Sequence, residues 1–147
     1  MKSKIVKMSN EQFKIILNSL ESYDDFWNEK IFEDEFNNEN SSYFVICDND
    51  NVDAIYGFGG LWFNIDEAHV MNIAIKKDFR RKHFGYELLN FLIQYAITMK
   101  KECITLEVRE DNLPAIKLYQ KTGFIEMGSR PKYYNNKFDA IIMTKKF

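Results

Sequence analysis

The stretch from His69 to Arg109 constrains this chain more than any other. It reads as an apolar strand-like run (His69–Lys76, HVMNIAIK), a basic turn (KDFRRKH), a long helical pattern (Phe84–Lys100) and a second strand-like run (Cys103–Arg109, CITLEVR). Two such runs joined by a helix make a βαβ crossover, which needs parallel strands and a helix covering them. The turn that opens the helix carries Arg80, Arg81 and Lys82, and Gly85 gives the backbone room for close approach. Backbone N–H groups converge at a helix start, where the dipole adds roughly half a positive charge, so the turn is suited to cradling a carrier's phosphates. A basic turn of this kind is also the composition of a solvated surface patch, and taken alone these residues leave both readings open.

On the long helix, Phe84, Leu88, Phe91, Leu92, Tyr95, Ala96 and Met99 make a wide apolar stripe. Near the start of the chain, Ser9 and Gln12 have the spacing of a capping box, which predicts a first helix of about three turns through Phe13, Ile16, Leu17 and Leu20. A second short helix is predicted over Asn28–Phe36, broken by the Asn-rich stretch Asn37–Ser42. Ser42–Cys47 and Val52–Phe63 read as a hairpin around the polar turn Asp48–Asn51. Gly57, Gly59 and Gly60 in its second strand point to a bulge or a close backbone approach.

After Cys103–Arg109 the pattern predicts a helix (Asn112–Lys121, closed by Gly123), a strand (Phe124–Ser129), a loop and a last strand (Ala140–Lys145). No repeat, linker or low-complexity segment divides the 147 residues. The expectation is one α/β domain over residues 1–147: a mixed central sheet, antiparallel in its N-terminal half with a parallel βαβ core, flanked by helices.

Composition removes several classes. Hydrophobic residues are 46% and charged residues 29%, which is neither a disordered nor a membrane-embedded chain. No apolar run approaches the roughly 20 residues that span a bilayer. MKSKIVKMSN has the charge of a signal peptide without the apolar stretch that would follow, so cytoplasm is the expected location. A formal net charge of −2 gives no global attraction to nucleic acid. Cys47 and Cys103 lie in apolar strand-like runs without CxxC spacing, so both read as buried thiols and neither a disulfide framework nor a zinc site is expected. No G-x-x-x-x-G-K-[ST] sequence supports nucleotide hydrolysis.

Period-two alternation in CITLEVR puts Ile104, Leu106 and Val108 on one face and Thr105, Glu107 and Arg109 on the other. A carboxylate near the C-terminal end of a parallel strand lies where open α/β sheets bind ligands, and there Glu107 could accept a proton. An ion pair with Arg109, or a solvated sheet edge, accounts for Glu107 equally well. Tyr119, on the next helix, is either a hydroxyl satisfied in the core or a proton donor. Asn112, ahead of Pro114, is explained as a helix N-cap without any ligand. His69 and His83 belong to no triad spacing, and no metal motif stands out.

Two strings carry a resemblance. HVMNIAIKKDFRRKHFGYELLNFL and LEVREDNLPAIKLYQKTGF resemble the acetyl-CoA-dependent GNAT N-acetyltransferases, and among them the bacterial RimI-type ribosomal-protein-alanine N-acetyltransferases. DFWNEKIF (Asp25–Phe32) and RPKYYNNKFDAIIM (Arg130–Met143) extend the likeness over nearly the whole chain. The resemblance implies acetyl transfer from acetyl-CoA, without a metal, to a protein's N-terminal α-amine, the acceptor being the N-terminal alanine of a small-subunit ribosomal protein. It implies that Ile73, Ala74 and Ile75 offer backbone groups to the pantetheine arm. Arg81, Lys82, His83, Phe84, Gly85 and Tyr86 would cradle the pyrophosphate, and Asn112 would also touch the carrier. Glu107 would be the proton acceptor and Tyr119 the proton donor. The family loop has glycine where this chain has His83, while Gly85 is kept. Histidine is among the residues tolerated at positive φ, and its imidazole is a candidate donor to the pyrophosphate; weaker carrier binding, rather than none, is the expectation.

The acceptor is less constrained. Tyr133 and Tyr134, with Arg130, would wall a peptide groove or simply pack. A small-molecule amine such as a polyamine or aminoglycoside is the alternative acceptor, with Asp24, Asp25, Glu33 and Asp34 as carboxylates to hold it. A non-catalytic acetyl-CoA-binding module is the alternative from another class. No direct nucleic-acid or membrane partner is expected, and a monomer and a sheet-edge dimer are equally compatible with the residues.

Overall fold

Ser9 separates the first strand from the first helix in the computed structural model, which describes residues 2–23, 29–134 and 137–147, with the backbone alone at 132–134. Its Oγ accepts from the Gln12 N–H at 3.1 Å, and Gln12 Oε1 accepts from the Ser9 N–H at 3.0 Å, so the capping box forms as its spacing predicts. In chain order the elements are β1 (Ser3–Lys7), α1 (Asn10–Leu17), α2 (Glu29–Phe36), β2 (Ser41–Asp48), β3 (Ile55–Phe63), β4 (Glu67–Ile75), α3 (Phe84–Thr98), β5 (Cys103–Arg109), α4 (Leu113–Lys121), β6 (Ile125–Tyr134) and β7 (Phe138–Lys146). The seven strands form one mixed sheet in the order β1-β2-β3-β4-β5-β7-β6, carrying the βαβ crossover β4–α3–β5 that the sequence predicts. Two compact units divide the chain: residues 1–62 with 71–92, and residues 63–70 with 93–147.

In the first unit, β1, β2 and β3 pair antiparallel in sequence order. β1 is absent from the sequence reading: SKIVK is short and flanked by lysines, and its strand character comes from pairing with Phe44–Asp48. The first helix is shorter than three turns. It ends at Leu17, and Leu20 falls in a separate 3-10 turn, Leu20–Ser22. Asn28, the expected start of the second helix, lies outside the described residues, and α2 covers the rest of that expectation.

Aromatic rings fill one face of this half-sheet. Phe13 stacks on Phe36 at 4.3 Å between centroids, and Phe32, fully buried, sits 5.0 Å from Phe13 and 5.1 Å from Phe58. The opposite face collects Ile46, Tyr56, Phe84 and Leu88, with Ile5, Ile73, Ile75 and Phe79 against them. The β3 glycines are close approaches, as expected. A Cβ on Gly57 would lie 2.5 Å from Ile75 Cδ1 and 2.6 Å from the Ala74 carbonyl, and one on Gly60 would enter the Tyr43 ring. The pairing also slips, with Ile46 opposite Gly57 but Cys47 opposite Ile55, which leaves Tyr56 as the extra residue of a bulge.

The second unit holds the parallel contact: Glu67, Ala68 and His69 of β4 pair with Cys103, Ile104 and Thr105 of β5. β5 then pairs antiparallel with β7, and β7 with β6. Most of the segment read as a loop between the last two strands is strand, because β6 continues through Arg130 to Tyr134. Its register against β7 shifts between Glu126 and Gly128 and again between Arg130 and Tyr134. Phe84, Leu88, Leu92 and Ala96 of the stripe drawn on the sequence are buried; the buried face also takes in Leu89 and Ile93, whereas Met99, past the end of α3, is 45% exposed. Cys47 and Cys103 are buried free thiols, and burial pushes both thiols up. Among the described residues, no helix is long and apolar enough to cross a membrane.

Candidate active site

The basic turn in the first unit is pinned at both ends by aromatic side chains. Phe79 and Phe84 both pack on Tyr56, at 4.6 Å and 4.8 Å between ring centroids. The intervening residues therefore turn sharply between fixed points, leaving Arg81, Lys82 and His83 exposed. Arg81 (φ 62°) and His83 (φ 66°) adopt the left-handed conformation, and Lys82 between them does not. A residue of negative φ between two left-handed ones is compatible with an anion-binding nest, in which successive N–H groups turn toward one side. It stands at the start of a 15-residue helix whose dipole adds to it. The position where the resemblance calls for glycine is thus left-handed here with histidine in it.

The expected contributors divide by what they can offer. Phe84 is buried at 4% exposure, so its side chain belongs to the core and only its backbone can face a ligand. Tyr86 is 39% exposed, and Gly85 is half-buried. Arg80 is turned back: its Nε donates to the Ile75 carbonyl at 3.2 Å. That contact fastens the turn to the end of β4 and occupies a lone pair of a residue expected to pair with a carrier. Beside this region, Tyr56 Oη donates to Asp48 Oδ1 at 2.9 Å, and that bond, with the Asp50 and Asn51 N–H groups on Oδ2, holds the Asp48 carboxyl below the usual carboxylate range.

Glu107, Tyr119 and Asn112 lie in the second unit. The alternation of β5 is as read, with Leu106 and Val108 buried and Glu107 half-buried. The suggested Glu107–Arg109 pair is not formed. Arg109 instead grips Asp111 with two hydrogen bonds (2.6 and 2.8 Å), and this guanidinium holds the Asp111 carboxyl below its ordinary range. The partner of Glu107 is Arg130, whose Nη2 donates to Glu107 Oε1 at 2.6 Å. Arg130 comes from β6, two strands away in the sheet order, and sequence reasoning did not pair it with Glu107. Nothing local signals it, because the pair spans 23 positions and depends on the β5-β7-β6 order.

Asn112 is the N-cap of α4, its Oδ1 accepting from the Ala115 N–H at 3.4 Å, and the carboxamide nitrogen takes no part in that bond. Tyr119 is half-buried rather than a core residue, with its ring 5.8 Å from that of Phe124. Its carbonyl accepts from the Phe124 N–H at 2.9 Å as the helix closes on Gly123 (φ 100°), which fixes the helix end that carries the phenol. Asp24, Asp25 and the side chains of Tyr133 and Tyr134 lie outside the described residues; Glu33 and Asp34 are exposed on α2.

A strand–turn–helix with the geometry to receive an anion and a carboxylate paired with arginine on a parallel strand are features that a group-transfer site can use. The model of the acetyltransferase (GNAT) family matches residues 6–124, and the chain belongs to that family. It is an acetyltransferase. It is 37% identical over 120 residues to the ribosomal protein bS18-alanine N-acetyltransferase of Salmonella typhimurium, covering 80% of this chain and 78% of that protein. The crystal structure of the ribosomal-protein-S18-alanine N-acetyltransferase from Escherichia coli superposes with a TM-score of 0.89 at 29% identity, covering 99% of this chain and 94% of that one. A spermidine/spermine N-acetyltransferase from Vibrio cholerae shares the fold (TM-score 0.80, covering 99% and 92% of the two chains) at 20% identity.

Proposed function

We propose that this enzyme transfers the acetyl group of acetyl-CoA to the N-terminal α-amine of a protein, the N-terminal alanine of a small-subunit ribosomal protein being the acceptor. The observation that carries the reading is the 37% identity, over about four-fifths of both chains, with an enzyme named for that reaction. The family match runs through both compact units, which supports treating residues 1–147 as one catalytic domain. A protein N-terminus in the ribosomal pool would be met in the cytoplasm.

The chemistry favours this acceptor over a lysine. Only a neutral amine attacks a thioester, and an α-amine with a pKa of about 8 is roughly a tenth neutral at pH 7, against below about one part in a thousand for lysine. In the proposed step the amine nitrogen bonds to the acetyl carbon and the carbon–sulfur bond breaks. Glu107 takes the amine proton, directly or through water, with Arg130 holding its carboxylate in place. A backbone N–H near Ile75 polarises the thioester carbonyl. Tyr119 donates a hydrogen bond to the departing thiolate; an ordinary phenol is the weaker acid, so a bond that strengthens as charge develops suffices. Arg81, Lys82, His83, Gly85 and Tyr86, with the Phe84 backbone, hold the pyrophosphate, Ile73 to Ile75 the pantetheine arm, and Asn112 a further part of the carrier.

Mass spectrometry of short peptides varied at the first residue, incubated with enzyme and acetyl-CoA, tests the reading. The expected result is gain of one acetyl group on the terminal amine, with preference for alanine. Acetylation of polyamines or aminoglycosides alone would replace the acceptor, and no transfer to any amine would leave a binding module.

A further inference from the structure

Among the described residues, the buried amide nitrogen of Asn72 has no hydrogen-bond partner. An unmet donor of this kind costs roughly 1–3 kcal/mol, so folded proteins rarely keep one without use. Asn72 lies on β4, immediately before the residues assigned to the pantetheine arm. Its face is fixed by alternation. Ile73 and Ile75 pack with Phe84 and Leu88, whereas Ala74 packs against the cluster of Phe13, Phe32, Tyr43 and Phe58 on the other side. Asn72 shares the side of Ala74, the one covered by α1 and α2. Opposite it, β3 carries Gly59, where a Cβ would stand 3.3 Å from the Asn72 carbonyl. The residue as a whole is half-buried, and the χ2 torsion of asparagine is broad, so its carboxamide is not locked in one orientation by its own covalent geometry.

We infer that Asn72 selects the acceptor by donating a hydrogen bond to the carbonyl oxygen of its first peptide bond. The inference rests on the N-terminal acetylation reading and narrows it. A donor without a partner matches an acceptor atom on the substrate. A peptide N-terminus carries such an atom a few bonds from the reacting amine, while a protonated polyamine carries only N–H donors. The thioester carbonyl of acetyl-CoA is the other carbonyl within the reaction, and the test separates the two.

Wild-type enzyme and N72A are each assayed with an alanine-initiated peptide and with its analogue bearing a carbon–carbon double bond in place of the first amide. Acetyl-CoA affinity is measured separately by calorimetry. The expected result is that wild-type enzyme prefers the amide peptide by about tenfold in kcat/KM, the size of one hydrogen bond to a buried donor, and that N72A loses the preference while binding acetyl-CoA unchanged. A wild-type enzyme indifferent to the replacement overturns the assignment even if N72A fails to fold. So does an N72A defect equal on both peptides, or one confined to acetyl-CoA affinity, which would place the bond on the thioester. Absence of peptide acetylation by wild-type enzyme, with transfer to polyamines intact, would instead overturn the function reading from which the inference starts.

Discussion

Arg130 reaches across β7 to place its Nη2 2.6 Å from Glu107 Oε1. Both ends are partly open to solvent, the arginine side chain at 55% and the glutamate at 28%, so the pair adds about 1 kcal/mol or less to stability. Its expected consequence is orientation, because the hydrogen bond biases where the Glu107 carboxylate points. R130A is expected to lower turnover several-fold with the urea midpoint nearly unchanged. Equal turnover in the two proteins would remove Arg130 from the site.

Replacing Glu107 itself should cost more. E107Q keeps a hydrogen-bond acceptor for Arg130 but not the base, so turnover should fall by about 10²-fold and the rise of rate with pH should flatten, while acetyl-CoA affinity holds. An unchanged pH–rate profile would take Glu107 out of the mechanism. For Y119F a loss of about 10²-fold is likewise expected if the phenol serves the leaving thiolate; wild-type rates would make its hydroxyl structural.

His83 stands at φ 66° with a side chain where the family loop has none. H83G relieves left-handed strain but frees the unfolded chain by a similar amount, so thermal stability should stay nearly level. Acetyl-CoA should bind more tightly, as read by calorimetry. Weaker binding would show that the imidazole assists the pyrophosphate rather than crowding it.

G57A should be destabilising by about 1–3 kcal/mol, since its new methyl would meet Ile75 Cδ1 and the Ala74 carbonyl. G128A is the control. Nothing lies within 4 Å of a Cβ there, and its unfolding midpoint should move little.

Asp48 links the first hairpin to pH. Its folded-state pKa is lowered, first by the Tyr56 hydroxyl, so its contribution is present above the ordinary carboxylate range near 4 and is lost as pH falls through the folded value. In D48N, unfolding midpoints measured from about pH 6 down to pH 3 should show a shallower acid loss than wild type. Identical slopes would show that the Tyr56 bond is not maintained in solution.

What the sequence reveals here is whatever repeats locally. The capping spacing of Ser9 and Gln12, the alternation that aims Glu107 away from Leu106 and Val108, and the helix-closing Gly123 are each decided within a few residues. Contacts set by strand order are not. Arg130 looks like a loop residue because Gly128 and Pro131 interrupt its surroundings, and only pairing with β7 carries it to Glu107. Asn72 looks like a polar residue in a strand, and what sets it apart is a buried amide nitrogen without a partner among the described residues. The left-handed turn at Arg81 and His83 is hidden for another reason: arginine seldom adopts that conformation and histidine only tolerates it, while the ring contacts of Phe79 and Phe84 with Tyr56 that bracket the turn are long-range.

The outermost strand, β6, exposes Ile125 (67%) and Met127 (58%) on a sheet border, a combination that invites other chains to add on and grow into fibrils. The slip in its register at Met127 breaks the straight row of amides such growth needs. An irregularity of this kind on an exposed border disfavours the regular pairing that aggregation by strand addition requires.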